Sequence, residues 1–326
     1  MFDTTVIICA HNPRVDHLAR VVEALRAQKL SLDQWELIIV DNASHTAISS
    51  TTDLSWHPSA RHVVESELGL SWARRRGIRE ACSDLLVFVD DDNILDEDFL
   101  EVAVKIGREW PVLGVWGSGT IRGELEVALP PTLQKHRSWL PVRERSTPLW
   151  SNFVINEEAI PIGAGLCVRR EIALAYCEHC EHSSLQIVGR QGNALTGYEE
   201  FEISLLSCRL GFGIGIFPQL GLTHLISKHR LTPTYFVRFA EGTCYSHLLF
   251  RYKWENVWPQ SPYGWRTAIS ALKTMAVYRG VDRAIRFAHL RALIKADRAI
   301  RTHLRQRKAE ERSTIRSAPR VGVGAS

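Results

Sequence analysis

Leu85-Leu-Val-Phe-Val-Asp-Asp-Asp92 is the stretch on which this chain's fold turns: five apolar residues run straight into three acids, followed by Asn93. A short, continuous apolar run predicts a strand buried on both faces, as in a parallel sheet. Three adjacent carboxylates at its carboxyl end are electrostatically costly unless a cation neutralises them. Hard oxygen ligands select Mg2+ or Mn2+. Such an ion, held by one or two carboxylates, takes its other ligands from a diphosphate and water. The plainer alternative is a solvated acidic turn capping the helix predicted from Asp96.

Outward from this strand the pattern alternates. Thr5–Ala10 is an apolar strand broken by Asn12-Pro13, and Val15–Gln28 has helical spacing. Trp35–Asp41 and Arg61–Glu65 read as strands, Leu70–Cys82 as a basic helix, Asp96–Trp110 as a helix and Val112–Trp116 as a strand. Short apolar strands alternating with helices predict an α/β domain with a mostly parallel sheet covered on both faces. Ligands of such sheets bind beyond the carboxyl ends of the strands, where Asp41 and Asp90–Asp92 share one rim. Gly119–Asn152 reads as a long irregular segment with four prolines, Trp139 and Trp150; a lid and a solvated surface loop both fit it. Pro161–Arg169 reads as strand, Glu171–His182 as helix, Tyr198–Leu210 as a helix with an acidic first turn, and Phe212–Leu225 as strands. From Pro233 the pattern is helical.

Taken in order, Val6-Ile-Ile-Cys-Ala-His-Asn12, Ile39-Val-Asp-Asn-Ala-Ser44, Gly69-Leu-Ser-Trp-Ala-Arg-Arg-Arg-Gly77 and Phe88-Val-Asp-Asp-Asp92 resemble the family 2 glycosyltransferases, which have the GT-A fold. The resemblance extends to Gly197-Tyr-Glu-Glu-Phe-Glu202, His224 and Arg230-Leu-Thr232, covering roughly residues 4–240. It implies a GT-A-like, Rossmann-type α/β/α sandwich and a metal-dependent, inverting transfer of a sugar. The donor would be a nucleoside-diphospho-sugar, with a UDP-sugar favoured. The acceptor would be a hydroxyl of a glycan or lipid-linked glycan, in polysaccharide or glycoconjugate synthesis. By the same match Ala10, His11 and Asn12 would wrap the base, Asp41 would bind it and Asp91 would touch the ribose. Arg74 would be a donor-site arginine; Asp92, helped by Asp90 and His224, would hold Mg2+ or Mn2+. The catalytic base would be Glu200. The chemistry needs such groups: a carboxylate within reach of the attacking hydroxyl, and cationic charge on the departing diphosphate. Glu199, Glu200 and Glu202 also suit an acidic helix start, and His224 a satisfied core histidine. This chain departs from the family pattern in three places: Glu200 stands for an Asp, Arg74-Arg75 for Arg-Asn, and Tyr198 for the glycine before the acidic pair.

Composition and further motifs bound the rest. The chain of 326 residues is 45% hydrophobic and 23% charged, which excludes a disordered or collagen-like chain. Seven scattered cysteines with no framework spacing predict free thiols in a reducing compartment. Cys177, His179, Cys180 and His182 have metal-like spacing, but four ligands on one short helix close a tetrahedron poorly. No P-loop motif occurs, and Gly211-Phe-Gly-Ile-Gly215 is no dinucleotide fingerprint. Ile94 stands where a dehalogenase-type phosphatase needs a hydroxyl. The net charge of +4 is too small to argue for nucleic acid. It is a sum of opposites: residues 263–320 hold 15 Lys or Arg against 4 Asp or Glu, while the remainder is acidic, with 25 against 32.

These readings predict a catalytic domain over 1–235, its nucleotide-sugar half about 1–118 and acceptor half about 119–235. A basic helical extension follows over 236–326. The basic segment 263–320, with Ile269, Leu272, Ala276, Val281, Ile285 and Ala288 at helical spacing, fits either an anionic membrane surface or packing on the catalytic domain. The expected location is cytoplasmic, with the inner membrane face as a peripheral site. Two rivals share the motifs: a nucleotidyltransferase of similar fold, and a non-catalytic sugar-nucleotide-binding protein.

Overall fold

A computed structural model describes residues 2–153, 157–187, 189–190 and 195–317; the last residues of the predicted extension, 318–326, lie outside it. Four strands form the parallel half of the sheet in the order β3-β2-β1-β4: β1 (Thr4–Ala10), β2 (Trp35–Asn42), β3 (Ala60–Glu65) and β4 (Leu85–Asp90). Helix α1 (Val15–Arg26) joins β1 to β2, α2 (Leu70–Glu80) joins β3 to β4, and α3 (Phe99–Glu109) follows β4. Because side chains alternate along a strand, the continuous apolar runs feed two cores. Val6, Ile8, Leu37, Ile39, Val87 and Val89 pack with α1 and α3, whereas Ile7, Ile38, Val40, Leu86 and Phe88 pack with α2. Gly77 lets α2 lie close to β1: a Cβ there would come within 2.5 Å of Ile7 Cγ2.

Beyond β4 the sheet is mixed. The short β5 (Asn93–Leu95) follows at once, so the helix expected from Asp96 starts at Phe99. β6 spans Leu113–Leu125, well past the predicted Trp116, and takes up the start of the segment read as irregular. Its glycines at 114, 117, 119 and 123 lower its local strand preference. Parallel pairing with the long β10 (Gly213–Ile226) supplies what local preference does not. β7 (Arg143–Glu144) and β8 (Leu149–Ser151) are added at the margins. β9 (Leu166–Arg169), shorter than the predicted strand, lies antiparallel between β4 and β6. α4 (Arg170–His182) and α5 (Glu199–Arg209) cover the same face as α2.

The segment 130–140 is a packed wall. Leu133 and Leu140 are buried with Ile226, Leu231 and Phe236, and Lys135 and His136 hold Asp282. Trp150 packs against Trp110, away from the strand ends. On α4, Cys177 and Cys180 turn into the core, His179 stacks on Trp254, and His182 is exposed. These four side chains therefore point in different directions and form no common metal site.

Three helices follow: α6 (Pro233–Glu255), α7 (Trp265–Val277) and α8 (Gly280–Ser317). The apolar stripe of α8, with Ile285, Ala288, Ala292, Ala296 and Ile300, is buried, chiefly against α6. That part of the basic extension packs on the protein itself. Among the described residues no helix is long and apolar enough to cross a membrane.

Candidate active site

Parallel register brings the carboxyl ends of three strands together. Ala10 lies beside Asp41, and Cys9 beside Asp90. A cleft of about 960 Å³ opens over these ends. Ala10, His11, Arg74, Asp90, Asp91, Asp92, Glu200 and His224 all line it, so eight of the ten predicted site residues meet in one place.

The other two serve the rim from behind. Asp41 is buried and does not line the cleft; its carboxylate accepts hydrogen bonds from the backbone N–H of Ser44 (3.0 Å) and Ile48 (2.9 Å). These bonds hold the carboxyl below its ordinary range despite burial. Asp41 therefore orders the turn after β2. Asn12, at φ 48°, donates its backbone N–H to Ser44 Oγ and accepts from the His45 N–H. It fastens the β1 exit to that same turn. His11 Nδ1 lies 2.7 Å from the Asn42 carbonyl.

The acidic triplet divides in two directions. Asp90 Oδ1 faces Arg74, 3.8 Å from its Nη2, and so does not converge with Asp92 and His224 as a third ligand. Asp92 points the other way. Antiparallel pairing of β5 with β10 sets Asn93 opposite His224, which brings His224 Nε2 within 3.3 Å of Asp92 Oδ1. Arg230 Nη1 donates to Asp92 Oδ2 at 2.8 Å and lies 3.0 Å from His224 Nε2. Burial opposes ionisation of Asp92, but His224 and Arg230 overcome it and hold the carboxyl well below its usual range. Asp91 is pushed the other way, by burial and by the charges of Asp92 and Asp90.

This donor set suits a divalent ion of the Mg2+ or Mn2+ kind when a ligand shares it. Asp92 Oδ1 and His224 Nε2 stand at the separation of two adjacent positions on an octahedral ion, about 3 Å for ligand distances near 2.1 Å. Among the described residues no group of three or more His, Cys, Asp or Glu is arranged to hold a metal. An ion held by Asp92 and His224 would therefore need its remaining ligands from outside the protein, as a diphosphate and water supply them.

On the same cleft, α5 is preceded by Tyr198 at φ 80°. A left-handed residue is where the family pattern has glycine; here Tyr198 is held by stacking on Phe201 at 4.3 Å and by a hydroxyl contact to His247 Nδ1 at 2.9 Å. The turn aims consecutive acids at different partners. Glu199 is buried, bonded to Ser71 Oγ and, at 2.7 Å, to Arg74 Nη1. Glu200 lines the cleft, half-buried, and burial raises its carboxyl above the ordinary range while Arg74 partly offsets this. A carboxylate so raised and exposed to a cleft can accept a proton from a bound hydroxyl.

Sequence reasoning missed Arg230 as a site residue, and it missed the wall made by α6. Tyr235, Phe239, Thr243 and His247 recur every four residues and line the cleft beside Trp139 and Arg143. That spacing was visible, but nothing local said which surface the face would meet.

Residues 5–159 match the family model described as Glycosyl transferase family 2. Among solved structures, the chain resembles TarS residues 1–349 of S. aureus, with 11% identity, a TM-score of 0.50 and coverage of 93% of this chain and 92% of that one. The same TarS segment in complex with UDP-GlcNAc matches with 12% identity, a TM-score of 0.51 and the same coverage. At such identity the likeness speaks to fold alone, and it is a likeness to a GT-A-like architecture over nearly the whole chain. No curated protein matches the sequence significantly. By the match over residues 5–159, and with the mixed α/β fold that carries it, this part of the chain is a family 2 glycosyltransferase domain.

Proposed function

We propose that this enzyme transfers a sugar from a nucleoside-diphospho-sugar to a hydroxyl acceptor, with inversion at the anomeric carbon. The observation that carries this reading is that Glu200 and the cluster Asp92, His224 and Arg230 line one cleft. The nucleoside end is assigned to the β1 exit, at Ala10 and His11, with Asp91 beside it. The diphosphate is assigned to the Asp92 side, where Arg230 supplies fixed positive charge. Asp92 and His224 would hold Mg2+ or Mn2+, which when bound supplies charge to the leaving diphosphate. The acceptor is assigned to the α6 side, where Phe239 and Trp139 line the cleft and offer rings to a sugar face. There Glu200 takes the hydroxyl proton as the oxygen attacks the anomeric carbon, and the bond to the diphosphate breaks on the opposite side. That TarS was captured with UDP-GlcNAc favours a UDP-sugar as the first donor to try.

Product analysis with UDP-sugars, Mn2+ and hydroxyl acceptors tests the proposal. Release of nucleoside diphosphate with a glycosylated acceptor of inverted configuration is expected. Pyrophosphate release, or binding of donors with no transfer to any acceptor, would overturn it.

A further inference from the structure

α7 is packed inside out. A surface helix ordinarily buries its large apolar residues and exposes its polar ones. Here the side facing the protein is Thr267, Ala271 and Thr274, while Ile269 (53% exposed), Leu272 (61%) and Met275 (52%) face outward with Trp265. These outward residues fall at i, i+4, i+7 and i+10, one continuous stripe. Trp258 and Tyr263, just before the helix, are exposed as well, and so is Val277 at its end.

The charge around this stripe has one sign. From residue 256 to residue 281 the sequence has no Asp or Glu and three cations, Arg266, Lys273 and Arg279. Lys273 and Arg279 are exposed, and α8 continues the pattern outward with Arg283 and Arg286. An apolar stripe with aromatic rings at its end and a basic margin is the composition of a helix lying in a lipid interface. A second copy of the chain fits poorly, since a two-fold contact through α7 would set two all-basic margins against each other.

We infer that α7 lies in the surface of a bilayer with anionic headgroups, its Ile269–Leu272–Met275 stripe among the acyl chains and Lys273 and Arg279 at the headgroups. This assigns membrane contact to α7, whereas the stripe of α8 is occupied within the protein. The inference is independent of the reaction proposed above, and its test uses no activity readout.

The test is flotation of the full-length protein with phosphatidylcholine vesicles, with and without phosphatidylglycerol. The protein should float with the anionic vesicles and less so at high salt. Ile269→Asp combined with Leu272→Asp should cut the floated fraction about tenfold or more, with an unchanged melting curve because both side chains are already in water. Lys273→Glu combined with Arg279→Glu should weaken flotation with anionic vesicles. Failure of the wild-type chain to float, or equal flotation of the aspartate variant, would overturn the inference. So would a dimer in sedimentation that the aspartate variant dissociates without any vesicle binding.

Discussion

Arg74 Nη1 and Glu199 Oε2 lie 2.7 Å apart, 4% and 1% exposed, joining α2 to the first turn of α5 across 125 residues of sequence. The pair adjoins both Asp90 and Glu200, so it ties the end of β4 to the start of α5. A buried pair with additional hydrogen bonds tolerates loss of both charges better than loss of one. Arg74→Met and Glu199→Gln should each cost about 3–5 kcal/mol in urea unfolding, with the combined variant losing clearly less than the sum. Additive losses would show that the two residues act separately.

Asp92 is the carboxylate on which Arg230 and His224 converge. Asp92→Asn keeps the shape and removes the charge. Turnover should fall about 10²–10³-fold, the scale of losing one electrostatic contact to the leaving group. Calorimetric binding of UDP should lose its dependence on Mn2+, and chelation of the metal should weaken UDP binding to the wild type but not to the variant.

Glu200→Gln should lower kcat about 10²–10⁴-fold while donor affinity is retained. Because burial raises this carboxyl, the wild-type rate should climb with pH through a value above the usual glutamate range. The same shift has a sign for stability. The folded state holds the Glu200 proton more tightly than the unfolded state does, so stability is greatest below the unfolded value and falls as pH rises through the folded one. Glu200→Gln should therefore melt higher than wild type at pH 8 and at nearly the same temperature at pH 4.

Tyr198 is a bulky residue in the left-handed region, paid for by its contacts with Phe201, Phe250 and His247. Tyr198→Gly and Tyr198→Ala lose the same contacts, but only glycine relieves the backbone. Both should be less stable than wild type, the alanine variant by about 1 kcal/mol more than the glycine variant. Equal melting of the two would mean that the turn relaxes.

The strand ending in Asp90–Asp92, the parallel half of the sheet and most of the cleft's residues were legible because each rests on a local pattern. Five apolar residues must be buried on both sides, and acids at the end of such a strand must face solvent, a cation or a ligand. The antiparallel β9 was not legible, since Leu166–Arg169 is equally apolar in either direction. Nor was the division of labour among the acids. Asp41 and Asp92 both stand at strand ends, yet one is consumed by its own turn and the other meets Arg230, 138 residues away.

By itself, then, the order of residues determined most of the strands and helices, the rim at which chemistry is assigned and the charge that rim carries. Only the tertiary structure decided partners. It turned Asp90 toward Arg74 and Asp92 toward His224, brought α6 across the cleft as a wall, and buried the stripe of α8 while leaving that of α7 outside. Periodicity and charge are properties of a few consecutive residues, whereas a partner is chosen by packing among segments far apart in the chain, and no short window of sequence contains both sides of that choice.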